Sequence, residues 1–355
     1  MTNDQPLTTS YSTSDFDYAL PAELIAQEPL SDRSASRLLE VSRTGGQAGR
    51  ALLTDRRFTD LPSIVPPGDL LVLNTTRVRH ARLLGTRPSG GPAEVLLIHP
   101  GVPDTWIALG KPGSALRPGK RITLGPGVFV ETVALLPDGN RVVRFEGTSA
   151  EDAINRFGRL PLPPYIEHEP GPLDEVRYQT VYAEREGSVA APTAGLHFTP
   201  EVLAALERKG VRLARLELEV GPGTFKPVEE EQLARHQMHP ERYEVSAEAA
   251  TAIRDARARG ARVWAVGTTV VRALESAARP DGAVRAGAGE TTLMITPGYT
   301  FRVVDRLLTN FHLPRSTLLM LTCAFAGYGT MMAAYRHAVA QRYRFYSYGD
   351  AMVIR

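Results

Sequence analysis

Apolar and polar positions divide the chain into stretches of different period. Residues 70–73, Leu-Leu-Val-Leu, are fully apolar and break at once into Asn74, Thr75, Thr76 and Arg77, the pattern of a buried strand whose end carries polar side chains. From 79 to 147 the period shortens. Runs at 81–85, 93–99, 105–110, 120–124, 128–135 and 141–145 have strand composition, and Gly90-Gly91-Pro92, Pro112-Gly113, Pro118-Gly119, Gly125-Pro126-Gly127 and Pro137-Asp138-Gly139-Asn140 separate them as turns. Six short strands with no helical period between them predict a small antiparallel β-barrel. After 148 helical and strand patterns alternate: helices at 150–159, 247–259, 269–278, 317–326 and 331–342, and strands at 211–220, 261–266, 290–295, 301–308 and 351–354. Such alternation implies an α/β layer architecture. Near the start, 15–25 reads as a turn and a short helix beginning near Pro21, 38–41 as a strand and 44–50 as a Gly-rich turn.

The residues before 70 hold too few elements to close a domain, so they are expected to complete the α/β unit around the barrel. The resulting class is a multi-domain α+β/α/β protein, an α/β layered domain with an inserted small antiparallel β-barrel. Its expected boundaries are 1–76 for the N-terminal part of the α/β domain, 77–148 for the barrel and 149–355 for the main part. A length of 355 residues agrees with two domains. Hydrophobic residues at 43%, charged residues at 23% and a formal charge of +2 are ordinary for a globular protein, so any polyanion site must be a local patch. The single cysteine, Cys323, excludes an internal disulfide framework and a cysteine-based zinc site, and suits a reducing cytosol. The first 14 residues lack a basic n-region and an apolar h-region, and no apolar run approaches the roughly 20 residues of a membrane span. A cytoplasmic protein without a membrane partner is therefore expected.

Candidate chemistry concentrates in loops of small residues. Residues 186–200 combine Thr193, Ala194 and Gly195, which let a ligand approach backbone, with the titratable His197, and lead through Thr199 and Pro200 into a helix start that favours anions. From this loop alone, an ordinary connector with a structural histidine remains an equal alternative. Gly221, Gly223 and Thr224 follow one strand; Thr268, Thr269 and Arg272 follow another. Neither is a dinucleotide fingerprint, and no phosphate-binding P-loop occurs in the chain, which disfavours a NAD enzyme or a P-loop ATPase. Ser188 lacks a nucleophile elbow. His236 and His239 have a metal-compatible spacing if helical, but no carboxylate or cysteine pattern accompanies them, and no metal is expected. Arg33 and Arg37 flank small residues, and 335–337 and 342–346 interleave cations with aromatics; each fits either a nucleic-acid face or a solvated surface.

Taken in order, the stretches 15–18, 27–39, 69–78, 177–183, 190–199, 220–226, 238–241, 265–276, 297–299, 309–327 and 342–352 resemble the S-adenosylmethionine:tRNA ribosyltransferase-isomerase family of queuosine biosynthesis. Ala-Pro-Thr-Ala-Gly-Leu-His-Phe-Thr and Thr-Asn-Phe-His-Leu-Pro are its most specific segments. The resemblance implies an enzyme that moves the ribosyl part of S-adenosylmethionine (AdoMet) onto 7-aminomethyl-7-deazaguanine in tRNA, giving epoxyqueuosine and releasing adenine and methionine. AdoMet would be consumed as substrate, with no metal and with a monomer as the expected state. The family's fold, an α/β domain with an inserted β-barrel, matches the layout read from the pattern. Matching motifs put His197, His239 and His312 forward as acid/base residues. They put forward Thr193, Ala194, Gly195, Gly221, Gly223, Thr224, Thr268, Thr269, Arg272 and Asn310 as AdoMet contacts, and Arg33, Arg37, Arg77, Arg342 and Arg344 as tRNA contacts. The chain departs from the family at Thr75, where a carboxylate is usual, at Val270, where serine is usual, and near Thr292. If those groups touch substrate, the expected alternatives are a ribosyl transferase for another deazapurine or amine acceptor, or a catalytically silent RNA-binding paralogue.

Overall fold

A computed structural model describes residues 11–43, 52–225, 233, 236 and 238–355, so the Gly-rich turn expected at 44–50 lies outside the described residues. Arg37–Ser42 (β1) and Leu52–Arg57 (β2) precede the one-turn helix Leu61–Ile64 (α1), and Leu70–Asn74 (β3) leads through Arg77–Val78 (β4) to six strands. These are Arg82–Thr86 (β5), Pro92–Pro100 (β6), Thr105–Lys111 (β7), Arg121–Gly125 (β8), Val128–Leu135 (β9) and Arg141–Glu146 (β10). Ala150–Phe157 (α2), Gly158–Arg159 (β11), Pro172–Arg177 (α3), Glu186–Ser188 (β12), Pro200–Arg208 (α4) and Arg212–Leu218 (β13) follow. Then come Glu241–Val245 (β14), Ala247–Ala258 (α5), Val263–Val266 (β15), Thr268–Ala277 (α6), Gly287–Thr291 (β16) and Arg306–Asn310 (β17). Thr317–Ala326 (α7), Tyr328–Ala340 (α8) and Ala351–Ile354 (β18) close the chain.

A nine-stranded sheet runs in the order β16-β14-β13-β3-β15-β17-β18-β1-β2. Its centre, β13, β3, β15 and β17, is parallel, and β3 pairs Leu70 with Arg212 on one side and with Val263 on the other. Leu70 and Val72 enter one apolar layer with residues of α5, α6, α7 and α8, while Leu71 and Leu73 enter a second with Phe58, Leu61, Phe198 and Leu206. Cover on both faces explains why 70–73 shows no polar alternation. The second sheet is antiparallel, in the order β11-β5-β6-β7-β10-β9-β8, with β5 also meeting β8 where Thr86 pairs with Thr123. Every second side chain of its strands, including Leu83, Val95, Leu97, Val130 and Val143, fills one core.

Polar side chains set the helix starts. Thr199 accepts from Val202 N at 3.3 Å, Ser246 from Ala249 N at 3.1 Å and Ser316 from Leu319 N at 3.2 Å. Each such cap stabilises its helix by about 1 kcal/mol. Several expected boundaries move; the helix expected at 331–342, for one, runs Tyr328–Ala340. Residues 15–25 hold two 3₁₀ turns, Thr13–Phe16 and Ala22–Leu24, rather than a helix. The strand expected at 290–295 lies at Gly287–Thr291. The strand expected at 301–308 begins only at Arg306, because the buried Glu275 carboxylate draws the N–H groups of Arg302, Val303 and Val304 at 2.9–3.0 Å away from any ladder. Among the described residues no single helix is long and apolar enough to cross a membrane; α7 and α8 pass such a test only as a pair bent by 117°.

Candidate active site

The carboxyl ends of β13, β15 and β17 open onto one cleft of about 620 Å³. This is where open parallel sheets usually bind ligands. Val220 follows β13, and Gly267 follows β15 at φ +98°, a conformation that suits glycine and turns the chain directly into α6, so that Thr268 and Thr269 enter the wall. Thr309, Asn310 and His312 come from the end of β17, and Thr193 and Ala194 from the 3₁₀ turn Thr193–His197. Tyr165 and Tyr346, with ring centroids 4.5 Å apart, complete the aromatic part of the wall. Two polar atoms of this wall, Thr269 Oγ1 and Asn310 Oδ1, are buried without a hydrogen-bond partner. Such groups are costly unless a ligand meets them.

His312 is buried with its Nε2 2.8 Å from Thr309 Oγ1, and burial pushes its pKa down to about 3. His197 lies outside the cleft wall, in a neighbouring cavity of about 250 Å³ that shares Ser347 with the cleft. Its Nδ1 is 2.9 Å from Ser36 Oγ, whose hydroxyl donates to Arg33 O at 3.2 Å. Ser36 therefore accepts from Nδ1–H, which leaves the lone pair on Nε2. Burial lowers the His197 pKa to about 4; a hydrogen bond with the Asn310 side chain opposes this, while Arg33, Arg177 and Arg344 add to it. Both histidines are neutral at pH 7.

Other expected contacts sit elsewhere. Gly195 packs under Tyr182, whose hydroxyl a Cβ would meet at 2.1 Å. Gly221 donates its N–H to Glu241 Oε1 at 3.2 Å, and Gly223 lies beneath the ring of the exposed His239, where a Cβ would come within 2.8 Å of Cδ2. The Thr224 side chain lies outside the described residues. Arg272 does not line the cleft and is tied internally. Its guanidinium pairs with the buried Glu241 and donates to Thr291 O at 3.3 Å and Leu293 O at 3.1 Å, so α6, β14 and the Gly221 loop are held together. Four of the five arginines expected at tRNA donate to backbone carbonyls of other segments. Arg33 donates to the carbonyls of Val176, Arg177 and Leu196, Arg37 to Gln341 O, Arg77 to Ala183 O and Arg344 to Glu28 O. Arg342, its side chain 70% exposed beside Glu23, is the most open of the five. Among the described residues no group of three or more His, Cys, Asp or Glu side chains is placed to hold a metal ion.

Sequence reasoning missed Tyr165, Tyr346 and Ser347 of the cleft, and Ser36 and Arg177 beside His197. Tyr165 ending the proline-rich 160–165 connector, and Tyr346-Ser347 inside the cation–aromatic run, were the available signals.

The profile of the family described as "Queuosine biosynthesis protein" matches residues 13–354. The chain belongs to the queuosine biosynthesis family. A relative from Anaeromyxobacter sp. (strain Fw109-5), named S-adenosylmethionine:tRNA ribosyltransferase-isomerase, is 54% identical over 346 residues, covering 96% of this chain and 98% of its own. One of the same name from Symbiobacterium thermophilum is 54% identical, covering 96% and 99%. The crystal structure of S-adenosylmethionine tRNA ribosyltransferase from Thermotoga maritima is 37% identical, with a TM-score of 0.56 over 96% of this chain and all of that one. The positions where this member departs from the family pattern lie away from the cleft. Thr75 is buried at the β3–β13 junction with its hydroxyl on Leu216 O at 3.3 Å, Val270 is in the core, and Thr292 is exposed.

Proposed function

We propose that the chain transfers and isomerises the ribosyl moiety of AdoMet onto 7-aminomethyl-7-deazaguanine in tRNA, giving epoxyqueuosine-tRNA with release of adenine and methionine. The observation that carries this is the gathering of Thr193, Ala194, Thr268, Thr269, Asn310 and His312, from three separate stretches of family resemblance, around one cleft with unmet hydrogen-bonding capacity. Its chemistry needs two things. The sulfonium of AdoMet acidifies the neighbouring C5′ hydrogen, so a base must take a proton there, and the departing adenine needs a proton or hydrogen bonds. Two neutral histidines are near enough to serve: His312 in the wall, and His197 beside Asn310 with its lone pair on Nε2. Thr269 Oγ1 and Asn310 Oδ1 supply polar contacts that a bound substrate satisfies, and Tyr165 and Tyr346 offer flat apolar surface to adenine.

We assign 77–148 as a barrel inserted into the α/β unit, supported by the antiparallel order of β5–β10 and the β5–β8 contact. A tRNA substrate sets the reaction in the cytoplasm. Because Thr75, Val270 and Thr292 all stand away from the cleft, the family's own acceptor is preferred over an altered one. The test is adenine release from AdoMet with and without tRNA carrying the precursor base.

A further inference from the structure

Resting on the ribosyl-transfer reading, we propose that the cavity beside the cleft, walled by Arg33, Arg177 and His197, is an oxyanion site that holds a carboxylate or phosphate group of a substrate. The cavity opens to solvent, and Ser347 lies in its wall and in that of the cleft. Two guanidinium groups face it with no carboxylate within ion-pair distance among the described residues. Arg33 Nη2 donates to Val176 O at 2.6 Å and its Nη1 to Leu196 O at 3.1 Å; Arg177 Nη1 donates to Leu30 O and, at 3.0 Å, to Ser31 O. These carbonyls satisfy hydrogen bonds and fix the two side chains, but they neutralise no charge. The nearest acid on that segment, Asp32, is turned to Ser34 N at 2.9 Å and Ser34 Oγ at 3.0 Å. Tyr348 is spent on Asp174 at 2.7 Å. Burial and the neighbouring Arg177 hold the Arg33 pKa down to about 10, as expected of like charges crowded without a counter-ion. Arg177 Nε is buried with no partner, and the His197 side chain beside it is only 3% exposed.

Guanidinium forks fixed by their surroundings are well suited to planar carboxylates and to phosphates. An oxyanion entering here meets Arg33 and Arg177 beside the buried, neutral His197 ring. Burial first, and then Arg33, Arg177 and Arg344, keep a proton off that ring. Two substrate groups have this chemistry: the methionyl carboxylate of AdoMet and a backbone phosphate of the tRNA.

Sulfate is the probe, because it does not titrate near neutrality. Its binding to the wild-type protein, followed by calorimetry against chloride at equal ionic strength, is expected to be specific, with chloride giving no comparable heat. Arg177→Met is expected to weaken it by about tenfold or more. The source is read from competition on the wild-type protein. If sulfate displaces AdoMet but not decarboxylated AdoMet, the site holds the carboxylate; if it displaces tRNA and leaves AdoMet alone, the site holds a phosphate. Sulfate that binds no better than chloride, or that competes with neither substrate, overturns the proposal, and does so whether or not the protein releases adenine. The wild-type competition also stands if Arg177→Met does not fold.

Discussion

Replacing Thr269 by valine separates a ligand-binding hydroxyl from a structural one, because the two roles give opposite signs. Thr269 is the second residue of α6, lines the cleft, and its Oγ1 is buried with no hydrogen-bond partner. A buried hydroxyl left unpaired costs about 1–3 kcal/mol, so a methyl in its place is expected to leave the empty protein as stable or up to about 1 kcal/mol more stable. Valine is β-branched like threonine, so helix propensity barely changes. In the complex the same hydroxyl contributes a hydrogen bond worth about 0.5–1.5 kcal/mol, so AdoMet affinity should fall by roughly 2- to 12-fold. Thermal melting without ligand and titration calorimetry with AdoMet measure the two effects on one preparation. A variant that melts several degrees lower while binding AdoMet as the wild type does would show that Thr269 serves packing, and would remove the α6 start from the site.

Arg272→Met leaves Glu241 buried without its cation and is expected to cost about 3–5 kcal/mol, with much of the loss recovered by adding Glu241→Gln; a stable variant that has lost AdoMet affinity would return Arg272 to the ligand. His197 has a folded pKa of about 4 against 6.5 for the free side chain, so the unfolded chain takes the proton first: its contribution is complete above about pH 6.5 and lost as pH falls towards 4, about 3 kcal/mol in all. His197→Asn should therefore flatten the acid limb of a pH–stability curve, and an unchanged limb would refute the depressed pKa. His197→Ala should reduce single-turnover adenine release by about 10²–10⁴ while changing AdoMet affinity far less; near wild-type turnover in the folded variant would leave His312, the histidine in the cleft wall, as the base. Arg342→Ser should leave the melting temperature unchanged, since its pair with Glu23 is exposed, and should lower the salt dependence of tRNA binding; an unaltered salt slope would remove that residue from the tRNA surface.

What could be read from the chain was what depends on neighbours in sequence. The six strands between 81 and 146 follow from alternation and Gly/Pro turns, and the helix starts at Thr199, Ser246 and Ser316 from capping residues three positions from their partners. Of the loop motifs, Thr193, Ala194, Thr268, Thr269, Asn310 and His312 share a cleft. What failed depends on partners brought from a distance. Arg272 reads as a free cation until β14 delivers Glu241, 31 residues earlier, to its guanidinium. Residues 301–305 have strand composition, but Glu275 on α6 captures their N–H groups. The surroundings of His197 were hidden for the same reason: Arg33, Ser36 and Arg177 come from other parts of the chain. So were the backbone carbonyls from distant loops to which Arg33, Arg37, Arg77 and Arg344 donate.

The central claim is tested most directly by incubating the purified protein with AdoMet and following adenine by chromatography, in parallel with tRNA carrying 7-aminomethyl-7-deazaguanine, with the same tRNA carrying guanine, and with no RNA. Ribosyl transfer requires adenine and methionine to appear in equal amounts only with the precursor tRNA, alongside a mass gain on that tRNA corresponding to epoxyqueuosine. Adenine release that is indifferent to the base, or no release from a protein that binds both AdoMet and the precursor tRNA, would contradict it.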